Sequence, residues 1–301
     1  MGIQREFDSM IVPTKGEIDA PSSSRKNLCL SVVEPDIKDE TSFQELDMIL
    51  TQYLETLSKR KKYHIGTTFK GAIDDLDFVI QTLENCGYSN DRYYIHCDAA
   101  LCGLILPFIR HAKKITFKKP IGSISISSHK FLGCPMPCGI QITRKSYVSS
   151  LSKIEYINSR DATISGSRNG LTPIFLWYCL STKGHARLQQ DSKICIENAR
   201  YLKDRLLEAG ISAMLNEFSI TVVFERPYVH KFIRRWNLCY LRGMAHVVVM
   251  PGITREIIDS FFKDLMQERN KWYQYAKALP PCLADDFGSQ NCMCSDNKMH
   301  N

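Results

Sequence analysis

The stretch Ser123-Ile124-Ser125-Ile126-Ser127-Ser128-His129-Lys130 most narrows what this chain can fold into. Alternation of isoleucine with serine has the period of a β-strand with one apolar and one polar face, and wound as a helix the same residues would present no continuous apolar side. The run ends on a lysine preceded by two serines and a histidine, so an ammonium is expected at a strand's carboxyl end, the rim at which open α/β sheets bind ligands. Upstream, Tyr93-Tyr94-Ile95-His96-Cys97-Asp98-Ala99-Ala100 is a second apolar run that ends in a carboxylate followed by two small residues. Asp98 is therefore expected at the same rim as Lys130.

A lysine and an aspartate on the ends of neighbouring strands suit pyridoxal phosphate. The amine can bond the cofactor's aldehyde, and the carboxylate can hold a proton on the pyridine nitrogen so that the ring accepts electrons from a developing carbanion. The small residues after Asp98 leave room for a flat ring. A strand-end lysine is also commonly a solvated or ion-paired side chain, and placement alone does not separate the two readings.

The wider pattern does separate them. Lys70-Gly71-Ala72-Ile73-Asp74-Asp75-Leu76-Asp77, Ile95 to Ala100, Ser127-Ser128-His129-Lys130-Phe131-Leu132-Gly133-Cys134-Pro135-Met136-Pro137-Cys138-Gly139, and Ser159 to Gly170 together resemble the group II pyridoxal-phosphate-dependent amino-acid decarboxylases, in particular the plant serine and histidine decarboxylase-like enzymes. The resemblance runs almost unbroken to about Tyr273. It implies an α/β chain of the pyridoxal-phosphate-dependent transferase fold (fold type I), with a truncated large domain and a small carboxyl-terminal α/β domain. It also implies that Lys130 bonds the cofactor, Asp98 faces the pyridine nitrogen, Ala100 lies under the ring, and Ser127 and His129 stand beside it. By the same resemblance Lys130, His129 and Asp98 are expected to be the catalytic set, and the His-Lys pair favours decarboxylation over transamination. Ser167 is either a contact to the cofactor phosphate, across a dimer interface, or an ordinary helix entry.

The expected reaction is decarboxylation of a small amino acid, serine or histidine, by a cytoplasmic homo-oligomer. At one junction the chain departs from the family: after Tyr63-His64-Ile65-Gly66 the relatives continue through much of the large domain, whereas Thr67-Thr68-Phe69-Lys70-Gly71 follows here. In the family the missing block carries the phosphate-gripping loop, the residue stacked on the ring and several strands. The alternative expectation is therefore a shortened pseudoenzyme that binds the cofactor weakly and pairs with full-length relatives.

Composition bounds the rest. With 301 residues, 44% hydrophobic and 24% charged, the chain can bury a sizeable core. Neither a membrane-length apolar run nor a secretory leader is evident, so no membrane partner is expected. The net charge of +7 gathers in short clusters, Lys59-Arg60-Lys61-Lys62, Lys113-Lys114 and Lys118-Lys119, without a helix-turn-helix or stacking-aromatic motif. They read as solvated surface, with no nucleic-acid partner. The twelve cysteines lack framework spacing and read as reduced thiols; Cys134 with Cys138, and Cys292 with Cys294, each lack a second pair, so no metal site is expected.

In chain order, residues 1–40 read as a flexible arm. Phe43, Leu46, Ile49, Leu50, Tyr53 and Leu57 predict an amphipathic helix over 41–61, which in the family packs on the other subunit. Residues 41–185 hold that helix and the remnant of the cofactor domain. A helix capped by Asp74 or Asp75, the strand from about Arg92 to Asp98, a helix through Leu104 and Phe108, and the strands 123–127 and 139–143 follow in order. Residues 186–278 form the small domain, with helices near 194–210, 229–238 and 254–275 and β runs at 218–224 and 245–250. Residues 279–301 read as a tail.

Overall fold

The computed structural model describes residues 66–149, 169–275 and 280–294. The expected arm, the 41–61 helix and Ser167 lie outside the described residues. The described chain divides into two compact units, one built from 76–100, 115–149 and 169–182, the other from 66–75, 101–114, 183–275 and 280–294.

In the first unit, helix α1 (Leu76–Asn85) buries Leu76, Val79, Ile80 and Leu83, the i, i+3, i+4, i+7 stripe that 3.6 residues per turn places on one side. It ends where Gly87 takes φ +83°, with the Gly87 amide bonded to the Glu84 carbonyl and the Tyr88 amide reaching back to Leu83. That paired closure needs a left-handed residue and consumes two orphan carbonyls. Of the two aspartates expected to cap α1, Asp75 pairs with Lys113, while burial pushes the Asp74 carboxyl up to about 6.

Strands β1 (His96–Asp98), β2 (Ser123–Ser127) and β3 (Gly139–Thr143) form a sheet in the order β1-β2-β3, the first pair parallel and the second antiparallel. The approach to β2 is clamped by Arg144, whose guanidinium donates to the carbonyls of Phe117, Lys119 and Ile121 at 2.8, 3.0 and 3.1 Å. At Gly122 a Cβ would lie 2.3 Å from the Tyr94 ring, so only glycine lets the chain enter the strand there. The short helix α2 (Lys145–Ser149) follows β3.

Helix α3 (Leu171–Glu208) is two helices joined at Gly184, where φ is 61° and ψ 179°. The break falls at the boundary of the two units. In the second unit, strands β4 (Ala213–Leu215), β5 (Thr221–Glu225), β6 (Cys239–Leu241) and β7 (Met244–Val248) pair antiparallel in the order β4-β5-β7-β6. Helix α4 (His230–Arg235) connects β5 to β6, and α5 (Arg255–Tyr275) closes the unit.

Every residue of β5 is buried, because both of its faces are covered. Val222 and Phe224 point into a core with Leu202 and Leu206 of α3 and Ile258, Phe261, Leu265 and Trp272 of α5. Val223 lies on the opposite side with Met244, Leu283, Phe287, Cys292 and Cys294. Residues 280–294, expected as tail, thus supply the second cover through a single turn of helix, α6 (Ala284–Phe287), and a 3-10 turn at Ser289–Asn291. Leu283 and Phe287 stand one turn apart and bury on the same side, while Lys70 Nζ holds α6 through the Asp286 carboxylate and carbonyl, both at 3.0 Å.

The helix expected through Leu104 and Phe108 is instead a pair of 3-10 turns, Cys102–Leu104 and Leu106–Phe108. Pro107 cannot donate to a preceding turn and its ring crowds the carbonyl four residues back, so an α-helix does not propagate. Lys114 Nζ gathers the carbonyls of Leu106, Pro107 and Ile109 at 3.2, 3.0 and 2.8 Å. With Lys113 on Asp75 and Lys119 on Asp77, three lysines of the basic clusters hold parts of the fold.

Phe224 is fully buried and meets the Phe261 ring edge-on at 5.8 Å. Phe224→Ala is expected to lower the unfolding free energy by about 3–5 kcal/mol, read as a fall in the urea midpoint of the full chain. An unchanged midpoint would show that this core does not govern the stability of the chain.

Candidate active site

The site begins with how two short strands come to lie in register. His96 pairs with Ser123, Cys97 with Ile124 and Asp98 with Ser125. The ladder continues past the strands: the Ala99 amide donates to the Ser125 carbonyl at 2.9 Å and the Ser127 amide to the Ala100 carbonyl at 3.1 Å. Because the strands are parallel, their carboxyl ends coincide, and the turn carrying Lys130 begins beside the Asp98-Ala99-Ala100 corner.

Side chains reinforce this pairing. Residues in register share a face, and the imidazole of His96 lies between two serines of β2, with Nδ1 2.6 Å from Ser123 Oγ and Nε2 3.2 Å from Ser125 Oγ. Burial holds His96 below its ordinary value of 6.5, against the opposing pull of Asp98. The neutral ring can donate to one serine and accept from the other, whereas a charged ring could only donate. His96 was not among the sequence candidates. Its place in an alternating run, two residues before Asp98 and opposite a serine-rich strand, is the signal that could have found it.

Asp98 is half-buried, and its carboxylate accepts the Ala100 amide at 3.0 Å, a local turn that steadies the carboxyl group at the strand end. Ser127 is 6% exposed and ends β2. Ser128 is fully buried, with its amide on the Cys138 carbonyl at 3.0 Å and its carbonyl accepting the Cys134 amide at 3.1 Å. His129 Nδ1 faces the Cys138 backbone, 3.0 Å from its amide nitrogen and 3.2 Å from its carbonyl oxygen. Phe131 and Leu132 are 1% and 0% exposed, so with Ser128 the backbone on both sides of Lys130 is pinned while Lys130 itself is only half-buried. The sheet thereby unites Asp98, Ala100, Ser127, His129 and Lys130 at one rim.

Burial pushes the Cys97 thiol, between His96 and Asp98, up to about 11 despite nearby Lys119, which makes it an unreactive packing residue. A cavity of about 400 Å³ lined by Tyr93, Lys118, Lys119 and Arg144 opens at the other end of the strands, where β2 starts, away from Lys130.

A half-buried amine and an anchored carboxylate on adjacent strand ends, with a methyl side chain after the carboxylate, are groups of the kind that pyridoxal phosphate needs. The donor set fits that cofactor. Comparison with known proteins agrees: the model of the pyridoxal-dependent decarboxylase conserved domain matches residues 48–226. The chain belongs to this family. Over 239 residues it is 87% identical to a histidine decarboxylase of Solanum lycopersicum, the match covering 79% of this chain and 58% of that protein. It is 58% identical over 236 residues to serine decarboxylase 1 of Oryza sativa subsp. japonica, covering 78% and 49%.

Among solved structures it is similar to an L-methionine decarboxylase from Streptomyces sp. 590, at TM-score 0.58 and 27% identity over 68% of this chain and 52% of that one. It shares the fold of a Lactobacillus brevis glutamate decarboxylase at TM-score 0.60 and 20% identity, over 71% and 55% of the two chains. The fold is fold type I of the pyridoxal-phosphate enzymes. The chain spans about half the length of the curated relatives it matches.

The His96 ladder makes the sheet sensitive to acid. With the folded-state value below 6.5, the unfolded chain takes up a proton that the folded chain refuses, so this contribution is complete above about 6.5 and is lost as pH falls toward the folded value. His96→Gln is expected to flatten the fall in stability between pH 7 and 5, by at most about 1.4 kcal/mol per pH unit, in urea unfolding at matched pH. Equal slopes for parent and variant would remove His96 from this role.

Proposed function

We propose that this chain carries the lysine-bearing part of a pyridoxal-phosphate-dependent L-amino-acid decarboxylase, which converts histidine, or in second place serine, to the amine and carbon dioxide. The observation that carries the reading is the parallel β1–β2 register, which sets Asp98 and Lys130 at one rim. Histidine ranks first because of the higher identity to the tomato protein named for that substrate. When bound, pyridoxal phosphate supplies an electron sink for the pair left behind as carbon dioxide departs.

The chain's own residues have distinct parts. Lys130 would bond the aldehyde carbon through its amine, and the pinned residues on either side limit where that amine can reach. Asp98 would hold the proton on the pyridine nitrogen, an electrostatic contribution that needs a carboxylate and not an amide. Ala100 offers a small surface beside the ring. His129 has Nδ1 turned to the Cys138 backbone, so any proton it passes to the reacting carbon comes from Nε2. Ser127 would stand beside the cofactor, and Ser167 is the candidate phosphate contact. A cytoplasmic homo-oligomer completes the reading; among the described residues no helix is long and apolar enough to cross a membrane. The amino-terminal part of α3 leaves Leu171, Ile174, Trp177 and Tyr178 more than half exposed, as a subunit-contacting face would be.

A second reading, a non-catalytic partner of full-length relatives, is favoured by a different observation. Strand β1 is an edge strand among the described residues, and the chain is about half the length of its relatives. An open parallel edge accepts another strand more readily than it persists in water.

Purified full chain incubated with pyridoxal phosphate is expected to turn yellow, to lose that absorption on borohydride reduction, and to carry the reduced adduct on Lys130 by peptide mass analysis. It is expected to release carbon dioxide from L-histidine faster than from L-serine. A colourless protein that co-purifies with a full-length relative would establish the second reading, and an adduct on another lysine would overturn the site.

Asp98→Asn is expected to keep measurable cofactor binding but to lose about 100-fold or more in turnover. Equal turnover would refute the part given to this carboxylate.

A further inference from the structure

Three cysteines that the decarboxylase reading does not use converge on the carboxyl-terminal unit. The sulfurs of Cys282, Cys292 and Cys294 all lie within 4.8 Å of one another, and those of Cys292 and Cys294 are 3.4 Å apart. Sequence spacing left Cys292 and Cys294 as an unsupported pair. The third sulfur arrives because α6 and the following 3-10 turn fold the segment back on itself, bringing Cys282, which precedes α6, against the two cysteines that follow the turn.

We propose that Cys282, Cys292 and Cys294 form a zinc site that closes residues 282–294 into a cross-linked loop in the carboxyl-terminal unit. Four ligands at about 2.3 Å around a tetrahedral ion stand about 3.8 Å apart, and the three sulfurs lie within 4.8 Å of one another, within about 1 Å of that spacing. Three sulfur ligands select a soft d10 ion over magnesium or calcium. Binding releases the thiol protons as three S–Zn bonds form, with no change of oxidation state, and water takes the fourth position.

The surroundings are those of a prepared ligand. The Leu283 amide donates to Cys292 Sγ at 3.2 Å, and the Ser212 hydroxyl lies 3.9 Å from the same sulfur while accepting the Met293 amide at 2.9 Å. Donors of this kind orient a thiolate and offset its charge. Cys292 and Cys294 are 3% and 4% exposed, packed with Val223, Met244, Leu283 and Phe287, whereas Cys282 is exposed and gives an ion its way in. Buried thiols serving only as packing residues do not need a third, solvent-facing sulfur beside them.

The experiment uses reduced full chain, freed of metal by a chelator under anaerobic conditions and titrated with Zn²⁺ against a chromophoric chelator, with Co²⁺ as the spectroscopic probe. One equivalent of zinc is expected, together with a near-ultraviolet thiolate-to-cobalt band and a metal-dependent rise in thermal midpoint. Cys282→Ser changes only an exposed side chain, so it is expected to preserve the midpoint of the metal-free protein while weakening zinc binding at least tenfold and abolishing most of the cobalt band. Cys239→Ser, an exposed cysteine on β6, is expected to behave like the parent. Zinc binding unchanged in Cys282→Ser, or lost equally in Cys239→Ser, would overturn the site. So would failure of the reduced parent to compete for one equivalent. None of these readouts depends on pyridoxal phosphate or on decarboxylation.

Discussion

The parallel pairing of His96–Asp98 with Ser123–Ser125 is the constraint on which the functional reading rests. An antiparallel arrangement of the same segments would have put Asp98 and Lys130 at opposite ends of the sheet. The pairing is short, and it is held by more than backbone bonds: the His96 imidazole bridges two serines, the ladder runs on through Ala99 and Ser127, and Arg144 clamps the chain that feeds β2. What is asked of these groups is placement. An amine and a carboxylate must arrive at one rim with little freedom, since electrostatic assistance depends on groups already in position.

The carboxyl-terminal unit solves a different problem. A strand buried on both faces, as β5 is, needs two covers. Helices α3 and α5 provide one. The other comes from residues 280–294, which are rich in polar groups but contribute Leu283, Phe287, Cys292 and Cys294 to the interior. The buried Glu225 is likewise met by Arg269 and Tyr273 of α5, with Tyr273 Oη 2.6 Å from the carboxylate, so the polar end of β5 is not left without partners. The gathering of three sulfurs beside this sheet follows from how that second cover is folded.

Membership of the decarboxylase family and a length near half that of the matched relatives together shape what this chain can do. Asp98 and Lys130 follow adjacent parallel strands within the first unit. The cofactor's phosphate end and the pocket for the substrate side chain call for further groups, and Ser167, the candidate named for the phosphate, lies outside the described residues. Catalysis and partnership are therefore the two proposed uses of this rim, separated by whether Lys130 takes up the aldehyde.

Several features were legible in the sequence because they depend on local periodicity. The Ser-Ile alternation identified β2, the i, i+3, i+4 apolar spacing identified α1 and α5, and the motif around Lys130 pointed to the family and its cofactor. Other features came into view only in the folded chain. His96 became part of the site only when parallel register placed Ser123 and Ser125 on either side of its ring. The residues after Leu101 abandoned the α-helix for 3-10 turns, since Pro107 blocked propagation and Lys114 could take the freed carbonyls. The last segment looked like tail because its apolar residues are few and widely spaced, and it is structured because each of them meets the open face of a sheet assembled from residues far away in sequence. Cys282 joined Cys292 and Cys294 for the same reason: spacing along the chain does not report how a short turn folds back on itself.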